Sequence, residues 1–251
     1  MDPKEFYNEL AANYDEMTGF DQRFPHERPF FRMLIERYHV TSALDAGCGT
    51  GFHSILLAQL GVQVTATDIS EEMLNQTRKH AKEYGVHMRT VNSTFPGVRK
   101  TVKNKFDSVF CLGNTCAHLL TKKELLLSLK SFYKVLIPGG ILFLQILNYN
   151  RILEQHERIQ SIKEANGKTF VRFYDYEYHL LRFNILTIEK DNERILHSLN
   201  SVTLRPWTVF DIAGLVRNAG FADVKIFGSI AMEKYYAKTS KDIVLLARRD
   251  S

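Results

Sequence analysis

Nine consecutive residues, Leu44-Asp45-Ala46-Gly47-Cys48-Gly49-Thr50-Gly51-Phe52, constrain the fold of this chain more than any other stretch. An apolar run enters three glycines at alternate positions. A helix-like apolar segment with Ile55, Leu56, Leu57, Ala58 and Leu60 follows, and a second apolar run ends on Asp68. The order is a strand over 42–45, a glycine loop, a helix from Phe52, a strand over 62–67, and an acid. This is the opening half of a nucleotide-binding α/β sheet. Glycines let the main chain turn sharply and come close to a ligand, with helix N–H groups aimed at it.

The loop argues against a dinucleotide. A dinucleotide loop wants Gly-x-Gly-x-x-Gly, whereas here Phe52 stands where the third glycine belongs. Asp45, just before the loop, would repel a pyrophosphate. A ligand with a cationic amino-acid head and no phosphate tolerates that carboxylate, and S-adenosylmethionine is such a ligand. Asp68 then stands where an acid accepts both ribose hydroxyls. A lone glycine-rich loop can also be a plain strand-to-helix turn, but two acids at this spacing weigh against that.

These residues carry a resemblance. Positions 44–74 resemble the cofactor half of class I S-adenosylmethionine-dependent methyltransferases, with Asp68-Ile69-Ser70-Glu71-Glu72-Met73-Leu74 as the acidic strand end and following helix. The block from Phe106 to Leu119, with Leu112-Gly113-Asn114-Thr115-Cys116-Ala117-His118 inside it, is similar to that of the glycine N-methyltransferase and glycine/sarcosine methyltransferase group. Leu147-Asn148-Tyr149 resembles that group's segment after the fifth strand. The likeness covers roughly residues 40–150. It implies an enzyme that moves a methyl group to a small-molecule amine or hydroxyl by in-line displacement. Two alternatives stay open: a methyltransferase of tRNA or protein, and a non-catalytic cofactor-binding module.

Composition agrees with one methyltransferase domain over 1–251. A chain of 251 residues that is 45% hydrophobic can bury one α/β core. No apolar run reaches membrane-spanning length, and the start lacks a secretory pattern. The three cysteines, Cys48, Cys111 and Cys116, have no metal-ligand spacing. A reduced cytoplasmic setting without a metal is the simplest reading. The formal net charge of +5 comes from scattered basic residues. That favours a solvated face and anionic small molecules over nucleic acid.

Alternating units follow: a helix over 30–38 before the first strand, a helix over 71–84 capped by Ser70, and a strand over 88–92. A strand over 106–112 comes next. Thr121-Lys122-Lys123-Glu124 is a capping box opening a helix through Leu136. Pro138-Gly139-Gly140 turns the chain into a strand over 141–147. Thr208 caps a helix through Asn218, Gly220 closes it, and 224–227 and 243–247 read as final strands. The expected architecture is a doubly wound seven-stranded sheet, made mixed, by analogy with the family, by a final hairpin. One segment breaks the alternation: 168–205, rich in Phe, Tyr, Val, Thr and Ile, reads as an antiparallel ribbon of about three strands with a turn at Asp191-Asn192-Glu193. As an insertion after the fifth strand, over 166–206, it covers the substrate site or serves as a homodimer contact. The N-terminal 1–30 reads as a lid carrying Tyr7 and Tyr14, or as a helix those tyrosines pack down.

The resemblance assigns the site. Tyr14, Asp45, Ala46, Gly47, Gly49, Gly51 and Met73 belong to the cofactor, Asp45 and Gly47 beside its ammonium. Asp68 takes the ribose and Ile69 packs on adenine, with Asn92 and Ser93 at the adenine edge. Leu112 and Gly113 offer main-chain groups to the methionyl end. Asn114, His118 and Tyr14 form the catalytic set. His118 is either a proton acceptor near the nucleophile or a helix-start histidine satisfied by main chain. The glycine-methylating group carries an arginine where this chain has Leu147. An arginine fork grips a carboxylate bidentately and leucine cannot. Glycine is therefore excluded unless another cation, Arg151 or Arg172, takes over.

Overall fold

The computed structural model describes residues 1–191 and 194–250. The chain opens with three helices, α1 (Pro3–Leu10), α2 (Tyr14–Thr18) and α3 (Phe20–Tyr38). Alternation follows: β1 (Ser42–Ala46), α4 (Phe52–Gln59), β2 (Gln63–Asp68), α5 (Glu71–Glu83), β3 (Arg89–Asn92), α6 (Val98–Thr101), β4 (Phe106–Cys111), α7 (Lys122–Val135) and β5 (Leu136–Leu147). After α8 (Tyr149–Gln155) come β6 (Ile159–Ala165), β7 (Lys168–Glu177), β8 (Leu180–Asp191) and β9 (Arg194–Leu204). The chain closes with α9 (Val209–Asn218), β10 (Phe221–Phe227) and β11 (Asp242–Arg249).

Seven strands form the main sheet in the order β10-β11-β5-β4-β1-β2-β3. Strands β1 to β5 run parallel, and β11 is antiparallel to both β5 and β10. The strand order reverses between β1 and β4, so their carboxyl ends open the crevice where ligands bind in such sheets. Leu44 and Ala46 of β1 and Val109 and Phe110 of β4 are fully buried, as in a sheet covered on both faces. Helix starts are set locally: Ser70 accepts from the Met73 N–H at 3.1 Å, and Thr121 with Glu124 forms the complete capping box.

Three expectations are corrected. Helix α3 starts at Phe20, not Phe30, and runs through Pro25 and Pro29. Each proline removes a helical N–H donor, but Phe20 and Phe24 pack on Phe52 of α4, with ring centroids 5.5 and 4.6 Å apart. That aromatic packing carries the helix through. The three strands expected over 168–205 are β7, β8 and β9, but the ribbon begins earlier, with a fourth strand, β6, in the order β6-β7-β8-β9. Its first strand was hidden by polar Gln160, Ser161, Lys163 and Glu164. Of the expected turn, Asn192 and Glu193 lie outside the described residues. Pro138-Gly139-Gly140 lies within β5 rather than before it, where the pairing with β4 slips between Phe106 and Ser108.

The N-terminal helices bridge the two sheets. Asn8 of α1 accepts from the Ser70 hydroxyl at 2.6 Å, and Glu9 accepts from the Asn200 amide of β9. Next to α2, Asn13 accepts from Lys168 of β7 at 2.7 Å. His80 of α5 meets the Asp15 carboxylate at 3.2 Å and the Thr50 carbonyl at 2.9 Å. Among the described residues no helix is long and apolar enough to cross a membrane.

Candidate active site

The glycine loop turns at the end of β1 with Gly47, Gly49 and Gly51 all at positive φ, 77°, 56° and 92°. Gly47 and Cys48 donate to the Thr67 carbonyl at 2.7 and 3.0 Å, which ties the loop to β2. A Cβ at Gly47 would lie 2.8 Å from the Thr115 methyl, so only glycine lets the loop after β4 approach this closely. Between these two loops lies a cavity of about 220 Å³. Asp68 stands at its wall, only 8% exposed; its carboxylate accepts from the Gly49 N–H at 3.0 Å and the Ser70 N–H at 2.9 Å. Burial raises the Asp68 carboxyl, and the main-chain donors counter that.

Of the residues singled out in the sequence, Tyr14, Gly47, Gly49, Asp68, Ile69, Leu112, Gly113 and His118 line this cavity. Asp45, Ala46, Gly51, Met73, Asn92 and Ser93 do not. Asp45 lies behind the lining, 1% exposed, and its carboxylate accepts from the Ser54 hydroxyl at 2.6 Å. Ala46 and Met73 are fully buried, and Gly51 packs against Thr77 of α5. Asn92 acts one layer out: its amide donates to the Ile69 carbonyl at 3.0 Å and so holds the turn after Asp68. Ser93 hydrogen-bonds its neighbour's carbonyl. Burial pushes the Cys48 thiol well up, leaving it no thiolate character.

Arg23, Phe95 and Pro96 also line the cavity and went unnoticed in the sequence. Arg23 lies 3.9 Å over the Phe52 ring and pairs with Glu27 at 2.7 Å. A cation among aromatic residues on α3 was the available signal, but that segment did not read as helix.

A second cavity, of about 800 Å³, adjoins the first. Tyr7, Tyr14, Leu112, Gly113 and His118 line both, as do Thr18, Arg23 and His53. The Tyr7 hydroxyl and His118 Nε2 are 2.8 Å apart, while the buried Nδ1 of His118 has no hydrogen-bond partner. Burial pushes the imidazole down to about 4, so it is neutral at physiological pH. Burial raises the Tyr7 and Tyr14 phenols, which stay protonated. Asn114 sits at φ 67°, a left-handed conformation that asparagine tolerates better than most residues. Its amide donates to Tyr149 at 2.8 Å and accepts from the Leu147 N–H at 3.1 Å. Leu147, Arg151 and Arg172 all line this second cavity.

A glycine loop at the switch point of a parallel sheet, with an acid ending the next strand, defines a nucleoside-binding α/β protein. Residues 43–140 match the family described as methyltransferase domain. The glycine/sarcosine N-methyltransferase of Aphanothece halophytica is 30% identical over 247 residues, spanning 98% of this chain and 90% of that protein. Human glycine N-methyltransferase is 32% identical over a shorter stretch, 48% of this chain and 45% of that protein. A crystal structure of an S-adenosylmethionine-dependent methyltransferase from Clostridium acetobutylicum superposes with a TM-score of 0.83 at 18% identity, covering 98% of this chain and 99% of that one. The chain belongs to the S-adenosylmethionine-dependent methyltransferase family.

The residues present fit that cofactor. The cradle at Gly47 has no room for a Cβ, and the nearly buried Asp68 carboxylate suits a ribose diol. Ile69, Phe95 and Pro96 give an apolar surface for adenine beside it, and Arg23 is a cation for the amino-acid carboxylate. Among the described residues no cluster of three or more His, Cys, Asp or Glu could hold a metal ion.

Proposed function

We propose that this methyltransferase acts on the nitrogen of a small-molecule amine held in the second cavity. The observation carrying this reading is the shared wall of Tyr7, Tyr14, Leu112, Gly113 and His118, where the two cavities meet. When bound, S-adenosylmethionine supplies an electrophilic methyl group on a sulfonium. What the protein must add is alignment and exclusion of water. Tyr7 and Tyr14 roof the junction with phenols and aromatic faces, which attract cationic groups. Asn114, pinned by Tyr149 and Leu147, orients the acceptor side.

The protonation states favour nitrogen over oxygen. A neutral amine attacks with its own lone pair, whereas a hydroxyl needs a base in the same step. At the shared wall the phenols are raised and His118 is held near 4, so none of these three is the base a hydroxyl would need, and His53, which also lines both cavities, is engaged with Glu27 at 3.0 Å. His118 instead serves as a neutral hydrogen-bonding partner through Nδ1. Methylation assays with primary and secondary amines, matched alcohols and phenols, and bulk tRNA test this. N-methylated products are expected. Methylation of tRNA or of hydroxyls, with none of amines, would overturn it.

Two further parts of the reading concern setting. Free Cys111 and Cys116, with sulfurs 3.4 Å apart, suit a reducing cytoplasm. A homodimer is supported by the ribbon's outer face, where Ile162, Val171, Leu186 and Leu199 fall in one row across all four strands. Sedimentation at micromolar concentration tests the latter.

A further inference from the structure

On the ribbon's inner face Arg172 lies beside aromatic and aliphatic residues. Arg172 of β7 pairs across the strands with Ile185 of β8, and the next inward pair is Tyr174 with Phe183. All four line the second cavity. Arg172 spends one donor, its Nε, on the Ser161 hydroxyl at 2.6 Å, and its terminal nitrogens remain available. Among the described residues no carboxylate lies within 4.0 Å of this guanidinium. A second cation, Lys163, faces the same side of the ribbon from β6. Burial and the charge of Arg172 together push its ammonium down. Lys163 donates to the Met17 carbonyl at 3.3 Å and does not line the cavity, so Arg172, with no carboxylate beside it, is the ribbon group that leaves a place for an anion.

Size points away from glycine. A cavity of about 800 Å³ lies in the range that takes drug-sized molecules, far more than glycine fills. Leu147, Phe183 and Ile185 offer apolar surface between the shared wall and Arg172. An apolar Leu147 where relatives of the glycine-methylating group carry arginine removes a short-range grip on carboxylate. Arg172 restores such a grip from a different element.

We infer that the acceptor is an amphipathic amine. Its nitrogen meets Asn114 and His118, its apolar body lies along Leu147, Phe183 and Ile185, and an oxyanion, carboxylate or phosphate-like, pairs with Arg172. This rests on the reading that the second cavity takes the amine. Ser161 is a positioning residue that holds the guanidinium through Nε.

Calorimetry on the protein saturated with S-adenosylhomocysteine tests the inference. The probes are 4-(aminomethyl)benzoate, its phosphonate counterpart, its carboxamide, and glycine. The benzoate or the phosphonate should bind at least about tenfold more tightly than the carboxamide, the scale of one charge-assisted hydrogen bond. Which of the two is tighter identifies the oxyanion. Arg172→Gln should erase that discrimination while S-adenosylhomocysteine affinity stays as in the wild type, which also reports correct folding. If that variant does not fold, Arg172→Lys, which keeps the charge and loses the fork, should reduce the discrimination without abolishing it. Equal binding of benzoate and carboxamide by the wild type, tightest binding of glycine, binding of none of the probes, or discrimination surviving in Arg172→Gln would each overturn the inference. Methylation of 4-(hydroxymethyl)benzoate but not of the amine would instead sink the nitrogen reading while leaving the oxyanion preference intact.

Discussion

The cofactor cleft and the acceptor cavity share a wall, yet they are built by different means. The cleft is largely main chain: a glycine loop tied to Thr67, Gly113 at positive φ, and amides that fix Asp68. Parallel pairing of β1 with β2 and β4 sets all of it. The second cavity is largely side chain and draws on separate parts of the fold, among them the N-terminal helices, the segment after β4, the end of β5, α8, the ribbon and the segment between β10 and β11. A main-chain site tolerates few changes and keeps one ligand. A side-chain site can be respecified one residue at a time while the fold stands.

Substitutions can break or sharpen that contrast. Asp68→Ala should cause the largest loss. Two hydrogen bonds to a charged acceptor, about 1.5–3 kcal/mol each and not strictly additive, correspond to roughly tenfold to a thousandfold in S-adenosylhomocysteine affinity. Calorimetry measures it, and an unchanged dissociation constant would remove Asp68 from the ribose site. Leu147→Arg should leave cofactor affinity alone but introduce or raise turnover of glycine or sarcosine, while the native acceptor loses ground to a buried, unpaired charge. Efficient glycine methylation by the wild type would show that Arg151 or Arg172 already does this work. Gly47→Ala tests the main-chain side. Strain at φ 77° and the contact with Thr115 should cost about 1–3 kcal/mol, read as a lowered melting temperature and weakened cofactor binding.

The smallest effect concerns the fastening of α2. Burial pulls the His80 imidazole down, but hydrogen bonds to Asp15 and Thr50 and the charges of Asp15 and Glu83 raise it above its ordinary value. A group with a raised folded value stabilises the fold fully below its unfolded value, near 6.5, and loses that contribution as pH rises through the folded one. His80→Gln should therefore lower the melting temperature more at pH 6 than at pH 9. An equal loss at both would show that His80 acts as a neutral hydrogen-bonding partner.

The same contrast explains what was legible in the sequence. The glycine loop, Asp68 and the Thr121–Glu124 box are local patterns with fixed offsets, so spacing alone located them. Spacing places Asp45 at a strand end but does not give its partner; in the structure its carboxylate accepts from the Ser54 hydroxyl. Pro25 and Pro29 are strong local stop signals, and aromatic packing on Phe52 outweighed them, which hid both the start of α3 and Arg23. Strand β6 alternates weakly because its inward residues, Ser161 and Lys163, face polar partners rather than a core. Arg172 could be suspected as a substitute cation, but only the pairing of β7 with β8 puts it beside Ile185 in the cavity.

The fastening of the N-terminal helices at both rims has a consequence for timing. Tyr7 and Tyr14 line the cleft, and their helices are held to α5 through Ser70 and His80 and to the ribbon through Asn200 and Lys168. Loosening one fastening, as in Asn8→Ala, is therefore expected to speed release of S-adenosylhomocysteine in stopped-flow measurements, and an unchanged release rate would show that the N-terminal helices do not gate the cleft.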